Sequence, residues 1–93
     1  MEVNYSITLH PLVISKDIPR LDPRWRQEIR DSIRIKLGTR PELFGKPLQE
    51  DLRGLRRLRV GDYRVVFQIQ KRTVHIIAIR HRSDGYKGIE KRI

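Results

Sequence analysis

The sequence predicts an α+β fold: a small antiparallel sheet, made of an N-terminal strand and a three-strand C-terminal meander, with helices packed on one of its faces. Three observations predict it. The N-terminus alternates polar and apolar residues with the two-residue period of a half-buried strand. A segment in the first half repeats apolar residues every four positions, the mark of one helical stripe. Three strand-like runs in the second half are separated by two-residue turns. At 93 residues the chain has room for one domain, spanning 1–93. A chain this short buries only about 60–65% of its unfolded surface. Its core is therefore thin, and a site belongs on an open face rather than in a deep cleft.

The elements follow in order. Over 2–9, Val3, Tyr5, Ile7 and Leu9 alternate with Glu2, Asn4, Ser6 and Thr8, and His10-Pro11 ends the strand because proline offers no ladder donor. Residues 12–18, between Pro11 and Pro19, read as a short helix or a turn. Residues 22–37 are the clearest helix. Asp22 is a good N-cap, Pro23 suits the first helical position, Gly38 supplies a stop, and Leu21, Trp25, Ile29, Ile33 and Leu37 form the stripe. Residues 39–54 connect, punctuated by Pro41, Gly45, Pro47 and Gly54. Strands over 55–60, 63–70 and 73–82 then turn at Gly61-Asp62 and Lys71-Arg72. With helices on one face, parity displays Arg57, Arg64 and Arg80 on the other, provided no bulge shifts the register.

Charge points to the kind of partner. Lysine and arginine total 21 against 11 acids, a net of +10, and arginine supplies 15 of the 21. The excess is uneven: residues 1–46 hold nine bases and six acids, residues 47–93 twelve and five. A basic half on a small domain is the footprint of a nucleic-acid binder, or of a face that an acidic protein covers. Cysteine is absent, which excludes disulfides, thiolate metal sites and a cysteine nucleophile. That suits a reducing compartment, so a cytoplasmic location is expected. No apolar run approaches the length of a membrane span, and no basic n-region marks a secretory signal.

The available chemistry is narrow. His10, His75 and His81 have no metal-ligand spacing, the acids form no close pair, and no Gly-rich phosphate loop exists. No metal and no cofactor are expected. What remains is Leu55-Arg56-Arg57-Leu58-Arg59 and Arg80-His81-Arg82. Such clusters suit metal-free RNA cleavage, in which a neighbouring 2′-hydroxyl attacks phosphorus. Guanidinium forks stabilise the phosphorane but carry protons poorly. His81 either moves a proton or simply caps a strand end. Tyr86 either stacks on an unpaired base or covers the core edge.

Gly45-Lys46-Pro47-Leu48, Leu52-Arg53-Gly54, the run from Leu58 to Phe67 (LRVGDYRVVF) and His81-Arg82-Ser83-Asp84-Gly85-Tyr86 together resemble the RelE/ParE toxin superfamily. The resemblance implies the RelE-like fold and the toxin of a type II toxin–antitoxin pair. In the RelE branch, members cleave mRNA on the ribosome without metal. Matched by position, Arg64 steadies the scissile phosphate, Arg80 is the proposed general acid and Tyr86 stacks on a base. Arg57 falls where a catalytic lysine stands, with Arg56, Arg59 and Arg82 as further RNA contacts. Leu55 replaces a lysine often assigned as general base. Arg56 or His81 would have to compensate. The alternatives are a ParE-like inhibitor of DNA gyrase without nuclease activity and a degenerate toxin that only binds its antitoxin. The expected partners are a cognate antitoxin with an acidic tail and mRNA on the ribosome.

Overall fold

The structure, a computed structural model, describes residues 4–48 and 54–93. The first residues of the predicted N-terminal strand, Glu2 and Val3, and Leu52-Arg53 of the connection lie outside the described residues. Strand β1 (Ser6–Leu9) leads into a helical stretch with a π turn at Val13–Asp17 and a 3₁₀ turn at Ile18–Arg20. The helix or turn expected over 12–18 is thus helical. Helix α1 (Pro23–Ser32) begins as its sequence requires: the Asp22 carboxylate accepts from the Arg24 amide at 2.9 Å, and Pro23 occupies the first turn. On its outer face Asp31 accepts hydrogen bonds from Gln27 and Arg34, which hold its carboxyl below the ordinary range.

The predicted stripe is the core face. Leu21, Ile29, Ile33 and Leu37 are buried, and Trp25 packs beside them. A strict four-residue repeat overshoots a 3.6-residue turn by about 40° per step. The helix accommodates this by widening into a π turn over Ile33–Leu37, which returns Leu37 to the core. A short helix α2 (Pro41–Phe44) and a two-residue strand β2 (Lys46–Pro47) follow, then β3 (Leu55–Val60), β4 (Tyr63–Gln70) and β5 (Thr73–His81).

The sheet runs β1-β5-β4-β3-β2. The meander β3-β4-β5 is antiparallel as predicted, but β1 joins β5 in parallel, so the sheet is mixed. The helical segments between β1 and the meander carry the chain back across the sheet, which a parallel neighbour requires. The last strand stops at His81, one residue short of the expected Arg82. Leu58, Val60, Val65, Phe67, Val74, Ile76 and Ile79 face the helices. The opposite face is not bare. Leu55, Val66, Ile77 and Ala78 form a second, smaller cluster, covered by Ile89 from a C-terminal 3₁₀ turn (Ile89–Arg92).

The strand parity read from the sequence fails once, in β5. Val66 opposes Ala78 and Phe67 opposes Ile76, so Ile77 is an unpaired bulge residue. Val74 and Ile76 point to the helices, whereas Ala78 points to the second face. Unbroken alternation from Val74 would put Val74, Ile76, Ala78 and Arg80 on one face; the bulge splits that set, and Arg80 goes with Ala78.

The hairpin turn at Gly61-Asp62 is where glycine is required. Gly61 has φ of +58°, and a Cβ there would overlap the Trp25 ring. Gly61→Ala is expected to lower the unfolding free energy by about 2–3 kcal/mol, from left-handed strain plus overpacking, measured by urea denaturation.

Candidate functional site

The register brings the arginines of the meander together. Arg59 lies opposite Arg64, and Arg64 opposite Arg80. Strands are about 4.8 Å apart, so three guanidinium-bearing residues form one row across β3, β4 and β5. In the next row Arg57 stands opposite Val66, itself opposite Ala78, and Lys46 of β2 stands opposite Arg57. Arg57, Arg64 and Arg80 thus share the face that parity predicts for them, away from the helices.

No ion pair neutralises this row among the described residues. Arg64 donates to the Gly61 and Tyr63 carbonyls at 3.3 and 3.2 Å, which draws its guanidinium toward the hairpin. Arg80 donates to the Lys87 carbonyl at 2.9 Å. These acceptors are neutral, so both side chains are oriented while their charge stays available to a ligand. Tyr86 is exposed beside Lys87, and its carbonyl accepts from the Ile89 amide at 3.2 Å. Its ring thus sits on the turn that touches Arg80.

Other candidates lie elsewhere. Arg56 alternates with Arg57 and donates to the Gly45 carbonyl at 3.1 Å, on the helix side of β3. Arg82 follows the end of β5. Its amide bonds the Asp62 carbonyl at 2.8 Å and its guanidinium reaches the Asp62 carboxylate at 4.0 Å. His81 opposes Tyr63 and packs edge-on against that ring, with centroids 5.2 Å apart. Its Nδ1 accepts the Ser83 amide at 3.1 Å, which puts the ring proton of the neutral form on Nε2. The structure does not bring His81 to the face of Arg80. Leu55 is buried in the second cluster.

Two parts of this surface escaped the sequence reading. Lys46 was legible only as part of Gly45-Lys46-Pro47, a stretch that reads as loop punctuation. The C-terminal cover, with Ile89 and the Lys87 carbonyl, left no periodic signal. Among the described residues, no group of three or more histidines or acids is placed to hold a metal ion. None of their helices is long and apolar enough to cross a membrane.

The row has a cost that can be read directly, since like charges directly opposite in a sheet repel. Arg59→Glu is expected to raise the unfolding free energy by about 0.5 kcal/mol at low salt, with the gain shrinking as salt screens the pair. Chemical denaturation across a salt series checks both.

The family of ParE toxins of type II toxin–antitoxin systems (parDE) matches residues 13–86. Toxin RelE of Mycobacterium tuberculosis is 37% identical over 75 residues, covering 78% of this chain and 77% of the relative. Toxin RelG of the same organism is 32% identical over 74 residues, covering 77% and 85%. Among solved structures, a chain of the RelBE2 toxin–antitoxin complex of M. tuberculosis superposes with a TM-score of 0.77 at 29% identity, over 90% of this chain and 98% of that one. A chain of the RelB–RelE complex of Methanococcus jannaschii shares the fold, with a TM-score of 0.68 at 16% identity, covering 87% and 96%.

Proposed function

The chain belongs to the RelE/ParE family of type II toxins, and on that premise we propose that it acts as a metal-independent, ribosome-dependent mRNA endoribonuclease. The observation that carries this reading is the unneutralised row Arg59–Arg64–Arg80, with Arg57 and Lys46 beside it. A domain with a thin core gives up stability to align like charges, and a phosphate backbone is the ligand that relieves them.

The chemistry follows from what guanidinium groups do. The 2′-oxygen bonds to the adjacent phosphorus and the bond from phosphorus to the 5′-oxygen breaks. Water at this open face takes the proton from the 2′-hydroxyl and returns one to the leaving 5′-oxygen, so the protons balance without a side-chain base. Arg64 and Arg80, each held by backbone carbonyls, fork onto the phosphate oxygens as the second negative charge develops. Arg57 and Arg59 extend the positive surface to neighbouring phosphates, with Arg82 at the strand end, and Tyr86 stacks on a base. Lys46 adds an ammonium group beside Arg57. His81 and Arg56 stand outside this arrangement, because both are engaged on the helix side.

The partner we propose is a cognate antitoxin whose acidic segment covers the arginine row. A second surface suits the same partner. Between β1 and α1 lies a groove of about 760 Å³, lined by apolar residues including Tyr5, Ile7, Leu9, Ile29 and Ile33, with Arg26, Arg30 and Arg34 at its rim. Apolar floor and basic rim fit an amphipathic acidic chain. Affinity for the antitoxin is expected to fall with rising salt, followed by titration calorimetry.

Induction in bacterial cells with primer extension across an abundant transcript tests the nuclease. New ends inside translated regions are expected for the native chain. Arg64→Ala and Arg80→Ala are each expected to reduce cleavage about 10²–10³-fold without unfolding the domain. The match to the ParE toxin family favours one competing reading, a ParE-like toxin, for which the superfamily resemblance implies inhibition of DNA gyrase. Growth arrest with intact message, persisting in both variants and accompanied by DNA damage signalling, would establish that instead.

A further inference from the structure

The second half of β5 lacks a neighbour on its outer edge. Strand β1 pairs only as far as Leu9 opposite Ile76, and its last bond runs from the His10 amide to the Ile76 carbonyl at 2.9 Å. The chain then leaves the sheet, which leaves the Ile77 carbonyl at the bulge and the Ile79 amide beyond it without a strand partner. Two side chains replace the missing strand. The Asp17 carboxylate accepts the Ile79 amide at 2.9 Å. The Arg92 guanidinium donates to the Ile77 carbonyl at 3.1 Å. The two also grip each other as a fork, Nη1 to Oδ2 at 2.7 Å and Nη2 to Oδ1 at 3.1 Å. Both are nearly excluded from water, with 9% and 4% of the arginine and aspartate side chains exposed.

This clamp touches no part of the arginine row, yet two routes lead from it to Arg80. The first is the bulge. Without the extra residue at Ile77, strict alternation would place Arg80 with Val74 and Ile76, on the helix side. The second is the C-terminal turn. Arg92 anchors the segment whose Ile89 lies over the second cluster and whose Lys87 carbonyl holds the Arg80 guanidinium. We infer that Asp17 and Arg92 are positioning residues, which fix the bulge and the C-terminal turn so that Arg80 presents its guanidinium in the phosphate-binding row. The catalytic part of this inference rests on the nuclease reading; the placement of Arg80 does not.

An ordinary buried ion pair survives exchange of its charges. This one cannot, because each member also serves a backbone group of fixed polarity. After Asp17→Arg with Arg92→Asp, a guanidinium would face the Ile79 N–H and a carboxylate the Ile77 carbonyl.

A double-mutant cycle tests the inference, using single-turnover cleavage of message on programmed ribosomes. Arg92→Gln is expected to slow cleavage at least tenfold in the native background, chiefly in the rate at saturating ribosome. The same change should cost less than twofold in an Arg80→Ala background, because Arg92 acts through Arg80. The exchanged pair should fail to restore activity. Additive losses in the cycle, or rescue by the exchanged pair, would overturn it. Where Arg92→Gln does not fold, Arg92→Lys, which keeps the charge but loses the planar fork, runs in the same cycle.

The Nε–H signal of Arg80 in ¹H–¹⁵N spectra separates the two claims. It should move in the Arg92 variant while that of the exposed Arg24 stays in place. If the native chain cleaves nothing, the nuclease reading fails, and this signal alone decides the positioning. An unmoved Arg80 signal in a folded Arg92 variant sinks the inference.

Discussion

A hydrogen-bonding deficit at one edge of the sheet shapes much of this molecule. Where β1 turns away after Leu9, the outer edge of β5 is left with the Ile77 carbonyl and the Ile79 amide away from water and without a strand partner, and each such orphan costs about 1–3 kcal/mol. The Asp17–Arg92 fork fills both valences and satisfies its own charges in doing so. A buried pair is weak evidence for stability taken alone, since desolvation offsets much of its attraction. Removing one partner is different, at roughly 3–5 kcal/mol. Against the few kcal/mol that hold a domain this small together, that is a large share. The clamp also joins residues 75 positions apart, so it ties the early helical stretch, the centre of β5 and the C-terminus into one unit.

The clamp makes sense of the two unequal cores. The helix-side cluster is large and built on aromatic and branched residues around Phe67. Among the described residues, the cluster on the other side buries Leu55, Val66, Ile77, Ala78 and Ile89. Such a small apolar patch could not by itself hold the C-terminal turn against the entropy of ordering it. Tethered by Arg92, the turn closes over it and leaves the arginine row uncovered at the end of the sheet. Leu55 belongs to this patch. At the position where the family resemblance leads one to expect a lysine, this chain has an apolar residue contributing to the cover. Its basic chemistry sits one strand-step away, in Arg57 and Lys46.

How much of this the sequence disclosed depends on the range of the interaction. The α1 stripe, the Asp22 cap and the Gly61-Asp62 turn are local, and each is where propensity and spacing put it. Convergence of Arg57, Arg64 and Arg80 was legible from parity, though partly for the wrong reason. Unbroken alternation in β5 would have grouped Arg80 with core residues, and the bulge at Ile77 rescues the conclusion. A bulge has no signature in a run such as Val74 to Ile79, where every residue is apolar and either face is satisfied. The parallel pairing of β1 was hidden too, because a strand's pattern is the same in both directions. Asp17 and Arg92 carried no signal: each reads as a surface charge until the fold brings it to an unpaired strand edge.

The same reasoning bears on how one fold serves different targets. In this chain the scaffold that orients the row is separate from the row itself. Helix stripe, bulge, clamp and C-terminal cover involve Ile29, Ile77, Asp17, Arg92 and Ile89, none of which carries the proposed chemistry. The charged residues stand at strand positions where the backbone is already satisfied by the ladder. Exchanging them leaves the ladder hydrogen bonds of the sheet intact, and removing like charges from a row stabilises it. A nuclease on this scaffold therefore holds its arginines against a stability gradient that favours losing them. The alignment of Arg59, Arg64 and Arg80 in register, each free of an acidic partner among the described residues, calls for an anionic ligand at this face, a phosphate backbone or the acidic segment of an antitoxin.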